Sequence, residues 1–280
     1  MVTADSNVGL SQPNGPNKLE IKTMKKEYLI SLKQYIQNYS LCNELKQYKG
    51  LHNGKRCFII GTGPSLTVED LEKLKNEITF GSNRIFEIFP KTTWRPTYYM
   101  NQDYKLIEKF QQDIKAVDCQ RLFLPIDAKH FFADNDNISY FVLRYKEFYP
   151  GLADFSTHLN RFMGQGFTVT YGAIQMAYYM GFSEVYLLGI DHNYSVSLDE
   201  KGIPVMKDNV QDYFAGSKAS NKGLNLPRIV ESTMAYITAR KFADAHPGFT
   251  VYNATRGGKL EAFERVDLDE VLSPNPNSRQ

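Results

Sequence analysis

The sequence has few cysteines and no long apolar segment. Its three cysteines, Cys42, Cys57 and Cys119, are odd in number and form no Cys-x-x-Cys pair. This usage argues against a disulfide framework and favours a reducing compartment, so we expect a cytoplasmic protein. No apolar run approaches the roughly 18 to 20 residues of a transmembrane helix, and we expect neither a membrane span nor a signal peptide.

Several functional motifs are also missing. The five histidines stand at positions 52, 130, 158, 192 and 246 without the spacing of metal ligands, so no structural metal is expected. The absence of a Gly-x-Ser-x-Gly elbow and of a Walker lysine argues against a serine hydrolase and a P-loop NTPase. The 33 basic and 31 acidic residues are interspersed and give a net charge of +2, which does not indicate a nucleic-acid partner.

The chain divides by composition into four segments. Residues 1–18 and 273–280 lack apolar periodicity, and we expect them to be a mobile leader and a mobile tail. Within 19–50, apolar residues recur every three or four positions from Ile21 to about Tyr48, which predicts one amphipathic helix ending at Gly50. That helix could cap the domain or mediate homo-oligomerisation. The remaining residues, 51–272, are expected to form the nucleotide-binding domain.

Within this domain, short apolar runs alternate with helical patterns. The run Cys57 to Ile60 is typical of a strand buried on both faces of a parallel sheet. A helix should begin near Thr67, because Thr67 and Asp70 resemble a capping pair, and another precedes Gly181. Further strands are predicted at Ile78–Gly81, Thr97–Met100, Arg121–Leu124, Tyr140–Leu143, Glu184–Gly189 and Phe249–Tyr252. The alternation predicts an α/β protein with a Rossmann-like, mostly parallel sheet flanked by helices.

In such a sheet, ligands bind at the carboxyl ends of the strands. The first such end is a glycine turn, whose small residues, free amides and serine hydroxyl suit a phosphate. A purely structural strand-to-helix turn would look similar. The turn consists of Gly61, Thr62, Gly63, Pro64 and Ser65.

Two further strand ends carry asparagines. Asn83 and Asn101 each offer a donor and an acceptor that suit a ribose or a base edge, and Asp103 could accept a hydrogen bond from a hydroxyl or hold a metal. Asparagines after strands are also common as helix caps and Asx turns. Asn101-x-Asp103 is at best a degenerate two-carboxylate motif, and no cation is inferred from it.

The fourth strand end combines a carboxylate with an imidazole. Asp191 and His192 could exchange protons near neutral pH, although a hydrogen-bonded turn would give the same pair. Upstream, small residues and the hydroxyls of Thr168 and Thr170 stand at the start of a predicted helix. This is a second possible seat for an anion.

These segments resemble a known superfamily over roughly residues 55 to 266. The resemblance rests on the Phe58 to Leu66 opening, the Asn83 strand end, the Pro96 to Tyr99 strand and the Leu188 to Asp191 strand end. The superfamily contains two related groups. One is the CMP-sialic-acid-dependent sialyltransferases of bacterial surface glycans, which have a single Rossmann-like domain and work without a metal. The other is the 6-hydroxymethylpterin pyrophosphokinase MptE-like family.

The resemblance implies roles for individual residues. The glycine turn, Asn83, Asn101 and Thr168 are implied to contact a nucleotide, and Tyr194 to help hold its phosphate. The chain departs from the sialyltransferases where their catalytic histidine is replaced by Asp212, before Tyr213. Its closing segment, 252–260, is more similar to the MptE-like proteins, and Arg256 there could neutralise phosphate or face solvent.

The leading hypothesis is an inverting glycosyltransferase of bacterial surface polysaccharide or glycan assembly, which takes a nucleotide-sugar donor, plausibly a CMP-sugar, and a glycan acceptor. The catalytic base would be Asp212 or His192, and the departing phosphate would be stabilised by Tyr194, Tyr213 and Arg256. One alternative is a Mg²⁺-ATP-dependent pyrophosphokinase, with Asp103 and Asp191 as metal ligands. The other is a non-catalytic nucleotide-binding scaffold that docks through its N-terminal helix.

Overall fold

The computed structural model describes residues 18–194, 196–198, 204–206 and 224–273, and the side chains of 26–194 and 224–273. Its strands are β1 Arg56–Ile60, β2 Thr79–Ser82, β3 Tyr98–Met100, β4 Arg121–Pro125, β5 Ile138–Phe141, β6 Leu143–Arg144, β7 Met163–Gly164, β8 Glu184–Leu188, β9 Val196–Leu198, β10 Pro204–Met206, β11 Thr250–Asn253 and β12 Glu264–Arg265. Its α-helices are α1 Lys18–Gln37, α2 Tyr39–Asn43, α3 Val68–Lys73, α4 Tyr104–Lys109, α5 Gln111–Lys115, α6 Val169–Tyr179, α7 Ile229–Asp244 and α8 Leu268–Leu272. Short 3₁₀ helices occupy Glu44–Tyr48, Ile85–Lys91 and Ile126–Phe131.

Eight strands form one sheet in the order β12-β11-β8-β1-β2-β3-β4-β5, and every neighbouring pair is parallel. This confirms the predicted α/β fold with its flanked parallel sheet. From β1 the chain first moves outward to β5, and it later returns to place β8 on the other side of β1. The boundary between β1 and β8 is therefore the topological switch point, where open parallel sheets place their ligand crevice.

Both faces of the sheet are covered by apolar side chains. In β1, Cys57 and Ile59 pack on the face covered by α6 and α7, whereas Phe58 and Ile60 pack on the opposite face. All four side chains are fully buried. Because successive side chains of β1 enter two different cores, every position from Cys57 to Ile60 is apolar in the sequence.

The N-terminal region differs from the single helix predicted for it. Helix α1 ends at Gln37, and α2 and a 3₁₀ turn follow. At the break, the Gln34 carbonyl accepts from both the side chain and the backbone N–H of Asn38. After the break, Cys42 and Leu45 are completely buried, each in one of the two cores of the sheet. The predicted leader up to residue 17 and the tail from residue 274 lie outside the described residues.

Most of the predicted elements in the domain are present. The predicted cap at Thr67 is confirmed by a reciprocal capping box with Asp70, and Gly181 follows α6 with a φ of 86°. The strand predicted at Tyr140–Leu143 is instead two strands, β5 and β6. Among the described residues, no helix has the length and apolar character needed to cross a bilayer.

Candidate functional site

The turns that follow β1 and β8 meet at the switch point. The Ser65 hydroxyl donates to Asp191 Oδ2 at 2.7 Å, across 126 residues of sequence. A Cβ on Gly63 would overlap the Asp191 carboxylate and lie 2.8 Å from the Gly189 carbonyl oxygen. Glycine is thus required at position 63 because the backbone after β8 approaches it so closely.

The backbone amides of the glycine turn are already used within the protein. Gly61 N donates to Leu188 O at 2.8 Å and Gly63 N to Gly189 O at 2.9 Å, while Pro64 has no N–H. The expectation of free amides at positions 61 and 63 is therefore wrong. Thr62 is nearly buried beside them, and nucleotide binding by this turn stays a prediction.

Three non-glycine residues at the carboxyl edge of the sheet have left-handed backbones. They are Asn83 with φ 50°, Phe167 with φ 53° and His192 with φ 50°. Such conformations are costly for residues other than glycine and tend to occur at ligand sites. Asn83 is held by its carbonyl, which accepts from the buried Tyr99 hydroxyl at 2.6 Å, and its side-chain amide makes no hydrogen bond within the described residues.

Asn101 and Asp103 have structural partners. Asn101 is fully buried, donates to the Tyr99 hydroxyl and accepts from the backbone N–H of Asp103. Asp103 caps α4 by accepting from the backbone N–H groups of Lys105 and Leu106, and it also accepts from Asn225 Nδ2. These contacts are those of the Asx turn and helix cap that were the alternative to a ligand role.

His192 is positioned by α7. Its Nε2 lies 2.7 Å from Thr233 Oγ1, and the Thr233 hydroxyl donates its own proton to the Ile229 carbonyl at 2.8 Å. Because that hydroxyl proton is committed, we assign Nε2 as the donor to Thr233, which leaves Nδ1 as the proton acceptor of the neutral ring. Burial lowers the pKa of His192 below the ordinary histidine value of 6.5. Tyr194 contacts the imidazole edge-on, with ring centroids 6.0 Å apart.

The start of α6 lies beside this histidine. Thr168 precedes the helix without a side-chain cap, and its hydroxyl is 3.2 Å from that of the buried Tyr236. Thr170 lies in the first turn of α6, and the Tyr236 ring stands perpendicular to His192 with centroids 5.3 Å apart. The positive end of an eleven-residue helix therefore adjoins an imidazole and three hydroxyls, an arrangement suited to an anion.

Arg256 reaches the same edge from the segment after β11. Its guanidinium makes a bidentate pair with the buried Asp70, at 2.8 and 2.5 Å, and also donates to the Ser65 carbonyl. Burial raises the pKa of Asp70, but the bonds from Arg256 and Thr67 outweigh it, so the pKa lies below its ordinary value of 3.8. Arg256 thus ties the glycine turn to α3 while its side chain stays about half exposed, at 53%.

The contribution of α7 was not predicted from the sequence. Thr233 and Tyr236 on this helix orient His192 and hold Thr168. The small residues Ala235, Ala239 and Ala243, spaced four apart and all buried, were a signal for a closely packed helix. The predicted catalytic residues Asp212 and Tyr213 lie outside the described residues.

The two carboxylates proposed as magnesium ligands belong to different parts of the edge. Asp191 follows β8 and Asp103 follows β3, and these strands are separated by β1 and β2. Three strand spacings correspond to roughly 14 Å, which is too far for one cation to bridge. Among the described side chains, no group of three His, Cys, Asp or Glu could hold a metal ion.

Comparisons with known proteins identify a similar solved structure and a family. The structure of the MAf glycosyltransferase from Magnetospirillum magneticum AMB-1 matches with a TM-score of 0.48 and 16% sequence identity. The match covers 82% of this chain but only 38% of that protein. No curated protein matches significantly. The family model of 6-hydroxymethylpterin diphosphokinase MptE-like proteins matches residues 26–197, and the chain belongs to this MptE-like family.

Proposed function

We propose that this protein is a glycosyltransferase that uses a nucleotide-sugar donor, with CMP-sugars as the first donor class to test, in the assembly of bacterial surface glycans. The arrangement of His192 is the main support. An imidazole with a lowered pKa, its Nε2 held by Thr233 and its Nδ1 without a partner in the described chain, is suited to deprotonate an alcohol.

The proposed reaction is a single displacement. The acceptor hydroxyl oxygen would bond to the anomeric carbon as the bond from that carbon to the donor phosphate breaks, and the hydroxyl proton would pass to His192 Nδ1. Negative charge then develops on the phosphate, which the amides at the start of α6 and the Thr168 hydroxyl could stabilise. Tyr194, whose ring contacts the imidazole, is assigned to the same phosphate.

The nucleoside would extend along the sheet edge from β1 toward β2. The Asn83 side-chain amide, which has no hydrogen-bond partner among the residues that the structure describes, lies at the end of β2, one strand spacing from the glycine turn. We assign it to the ribose or the base. Ser65 and Arg256 are assigned a supporting role, since their polar groups already bind Asp191 and Asp70. Asn101 would act through Tyr99, which it bonds, and Tyr99 in turn holds Asn83.

A second candidate function is pyrophosphoryl transfer from Mg²⁺-ATP to a pterin alcohol. The family description supports it. The carboxylates Asp103 and Asp191 do not fit one magnesium ion, because they end strands three spacings apart. A scaffold without catalysis remains the alternative if nucleotide binds and no donor is consumed.

Ligand-dependent thermal stability separates these candidates. The full-length protein should be stabilised by CMP or a CMP-sugar without added metal, and a ligand at 100 times its Kd adds about 2.7 kcal/mol. The panel should contain CMP, CDP, UDP, ADP and ATP, each with and without Mg²⁺. A response confined to Mg²⁺-ATP would overturn the proposal. An Asn83→Ala variant should lose the stabilisation, whereas Asn135→Ala, in a loop before β5, should keep it.

Turnover tests the assignment of the base. With a donor that stabilises the protein, release of free nucleotide should depend on an added glycan acceptor and should fall in His192→Gln. His130→Gln is the matched control, because His130 lies on an exposed turn after β4 and contacts Tyr104 rather than α7. Equal turnover in wild type and His192→Gln would exclude His192 as the base.

A further inference from the structure

A polar cavity lies beside the paired strands β6 and β7. It has a volume of about 270 Å³. One wall comes from the end of β6, and the others come from residues 154–164. It is lined by two arginines, one histidine, two hydroxyl side chains and two phenylalanine rings, together with one carboxylate.

The cavity wall is held by a buried glutamine. Gln175, on α6 and fully buried, accepts from the backbone N–H groups of Ser156 and Gly164, each at 2.9 Å. Its Nε2 donates back to the Gly164 carbonyl at 2.9 Å. A Cβ at Gly164 would overlap the Asp154 carbonyl oxygen, so the two chain segments are as close as glycine permits. This bracing makes the cavity a preorganised feature of the fold.

The charges that line the cavity do not balance. Asp154 pairs with Arg144 and, at 3.1 Å, with Lys146. Burial by itself raises the pKa of Asp154. Arg144 and Lys146 lower this pKa by more than burial raises it, so it lies below the ordinary value of 3.8. Arg161, which is exposed, makes no side-chain hydrogen bond or ion pair with the described residues. The lining therefore carries two cations and one anion, and Lys146, paired with Asp154 from outside the lining, adds a third cation.

Neutral donors and apolar surface complete the lining. The Thr157 hydroxyl is 3.0 Å from His158 Nδ1, and the Ser156 hydroxyl accepts from the backbone N–H of His158. The Phe162 ring packs against Tyr35 of α1 and forms an apolar part of the wall. Guanidinium groups recognise phosphate and carboxylate groups through paired hydrogen bonds, while hydroxyls and ring faces suit a sugar.

We propose that this cavity binds a sugar that carries a phosphate or a carboxylate, with Arg161 as the principal contact to the anionic group. The site is distinct from the crevice at β1 and β8, since its lining shares no residue with the glycine turn, the Asp191 turn or α7. The inference does not rest on the reaction proposed for that crevice.

Titration of the full-length protein tests this assignment. Glucose 1-phosphate, glucuronate and neutral glucose are added separately in the presence of saturating CMP, and binding is followed by calorimetry. At least one of the two anionic sugars should bind about tenfold or more tightly than glucose, as a charge-assisted contact implies. The two anionic probes distinguish a phosphate from a carboxylate ligand. Failure of both to exceed glucose would overturn the proposal.

Variants locate the bound anion. Arg161→Gln should weaken binding of the anionic sugar about tenfold, and Arg161→Lys should retain part of it because the charge remains without the planar fork. The matched control is Arg240→Gln, an exposed arginine on α7 paired with Asp244, which should leave binding unchanged. If Arg161→Gln binds as the wild type does, or if CMP displaces the anionic sugar, the anion lies elsewhere and the proposal is wrong. If CMP does not bind but the anionic sugar does, only the reaction proposed for the crevice is contradicted.

Discussion

The Ser65 hydroxyl donates to the Asp191 carboxylate at 2.7 Å and joins the turn after β1 to the turn after β8. Asp191 is nearly buried, at 9% exposed, and its backbone carbonyl accepts from the N–H of Lys259 at 2.7 Å. The residue after it is His192. Asp191 therefore joins three chain segments beside the imidazole that we assign as the base, one bond being made by its carboxylate and the other by its backbone carbonyl.

Replacing Ser65 by alanine should destabilise the protein. A hydrogen bond to a charged, largely buried acceptor contributes about 1.5–3 kcal/mol, and Ser65→Ala removes this bond to Asp191. Urea unfolding measures the loss as a lower midpoint with an unchanged slope. Ser183→Ala is the control, because the Ser183 hydroxyl bonds the Lys55 carbonyl at an exposed position and should change stability by less than about 0.5 kcal/mol. Equal stability of the two variants would contradict the assigned importance of this contact.

Arg256→Gln should destabilise the protein by leaving Asp70 buried without its cation. We expect a loss of about 1–3 kcal/mol, smaller than for a fully buried pair, because the Arg256 side chain is 53% exposed and solvent screens it. The pKa of Asp70 is lowered in the folded protein. The stability from the pair is therefore fully present above the unfolded pKa of about 3.8 and is lost as pH falls through the folded pKa.

The measurement is the difference in unfolding free energy between wild type and Arg256→Gln at several pH values. The difference should be constant near neutral pH and shrink below about pH 3.8. Arg240→Gln, which breaks an exposed pair within α7, should cost less than about 0.5 kcal/mol. A difference for Arg256→Gln that stays constant into strong acid would show that the Asp70 charge is not its cause.

Local features of this fold could be predicted from sequence, and long-range ones could not. The run Cys57 to Ile60 reveals its strand because both of its faces are buried, and Thr67 reveals its helix start because a capping box involves only four residues. The order of the strands has no such local signal. That β8 pairs with β1, rather than adding beyond β5, brings Asp191 to Ser65 and decides which strand ends share a crevice.

The candidate site was also predicted only in part, because its local features have a sequence signal and its long-range contacts do not. The strand ends at positions 61, 83 and 191 lie along one edge, as expected for a parallel sheet. The use of the Gly61 and Gly63 amides by the chain after β8 could not be foreseen, because it depends on how closely two distant turns approach. The break after α1 could not be predicted either, because the apolar periodicity of the sequence continues through it.

Gln175→Met should destabilise the protein by removing a buried polar brace. The change keeps a similar volume but leaves the N–H groups of Ser156 and Gly164 without an acceptor. Each buried unsatisfied group costs about 1–3 kcal/mol. Thermal or urea unfolding measures the loss, and Gln112→Met at an exposed position of α5 is the control. A Gln175→Met protein as stable as that control would mean that water or rearrangement replaces the brace.

The pH dependence of turnover should report His192. Protonation at low pH removes the base, so kcat/KM should rise with pH through the His192 pKa and level off above it. Because burial lowers this pKa below 6.5, the midpoint of the acid limb should lie below pH 6.5. The folded pKa is below the unfolded one, so stability should also fall as pH drops below about 6.5, where the unfolded chain binds the extra proton.

The His192→Gln variant tests whether His192, rather than another titrating group, causes the pH dependence of turnover and of stability. Glutamine can still donate to Thr233 Oγ1 but cannot accept a proton, so we expect turnover to fall about 10²- to 10⁴-fold while the fold is retained. The residual activity should lose the acid limb, and the fall in stability below pH 6.5 should become shallower. His130→Gln should keep both features. An acid limb with the same midpoint in His192→Gln would place the essential base on another residue, because the group that titrates would then still be present.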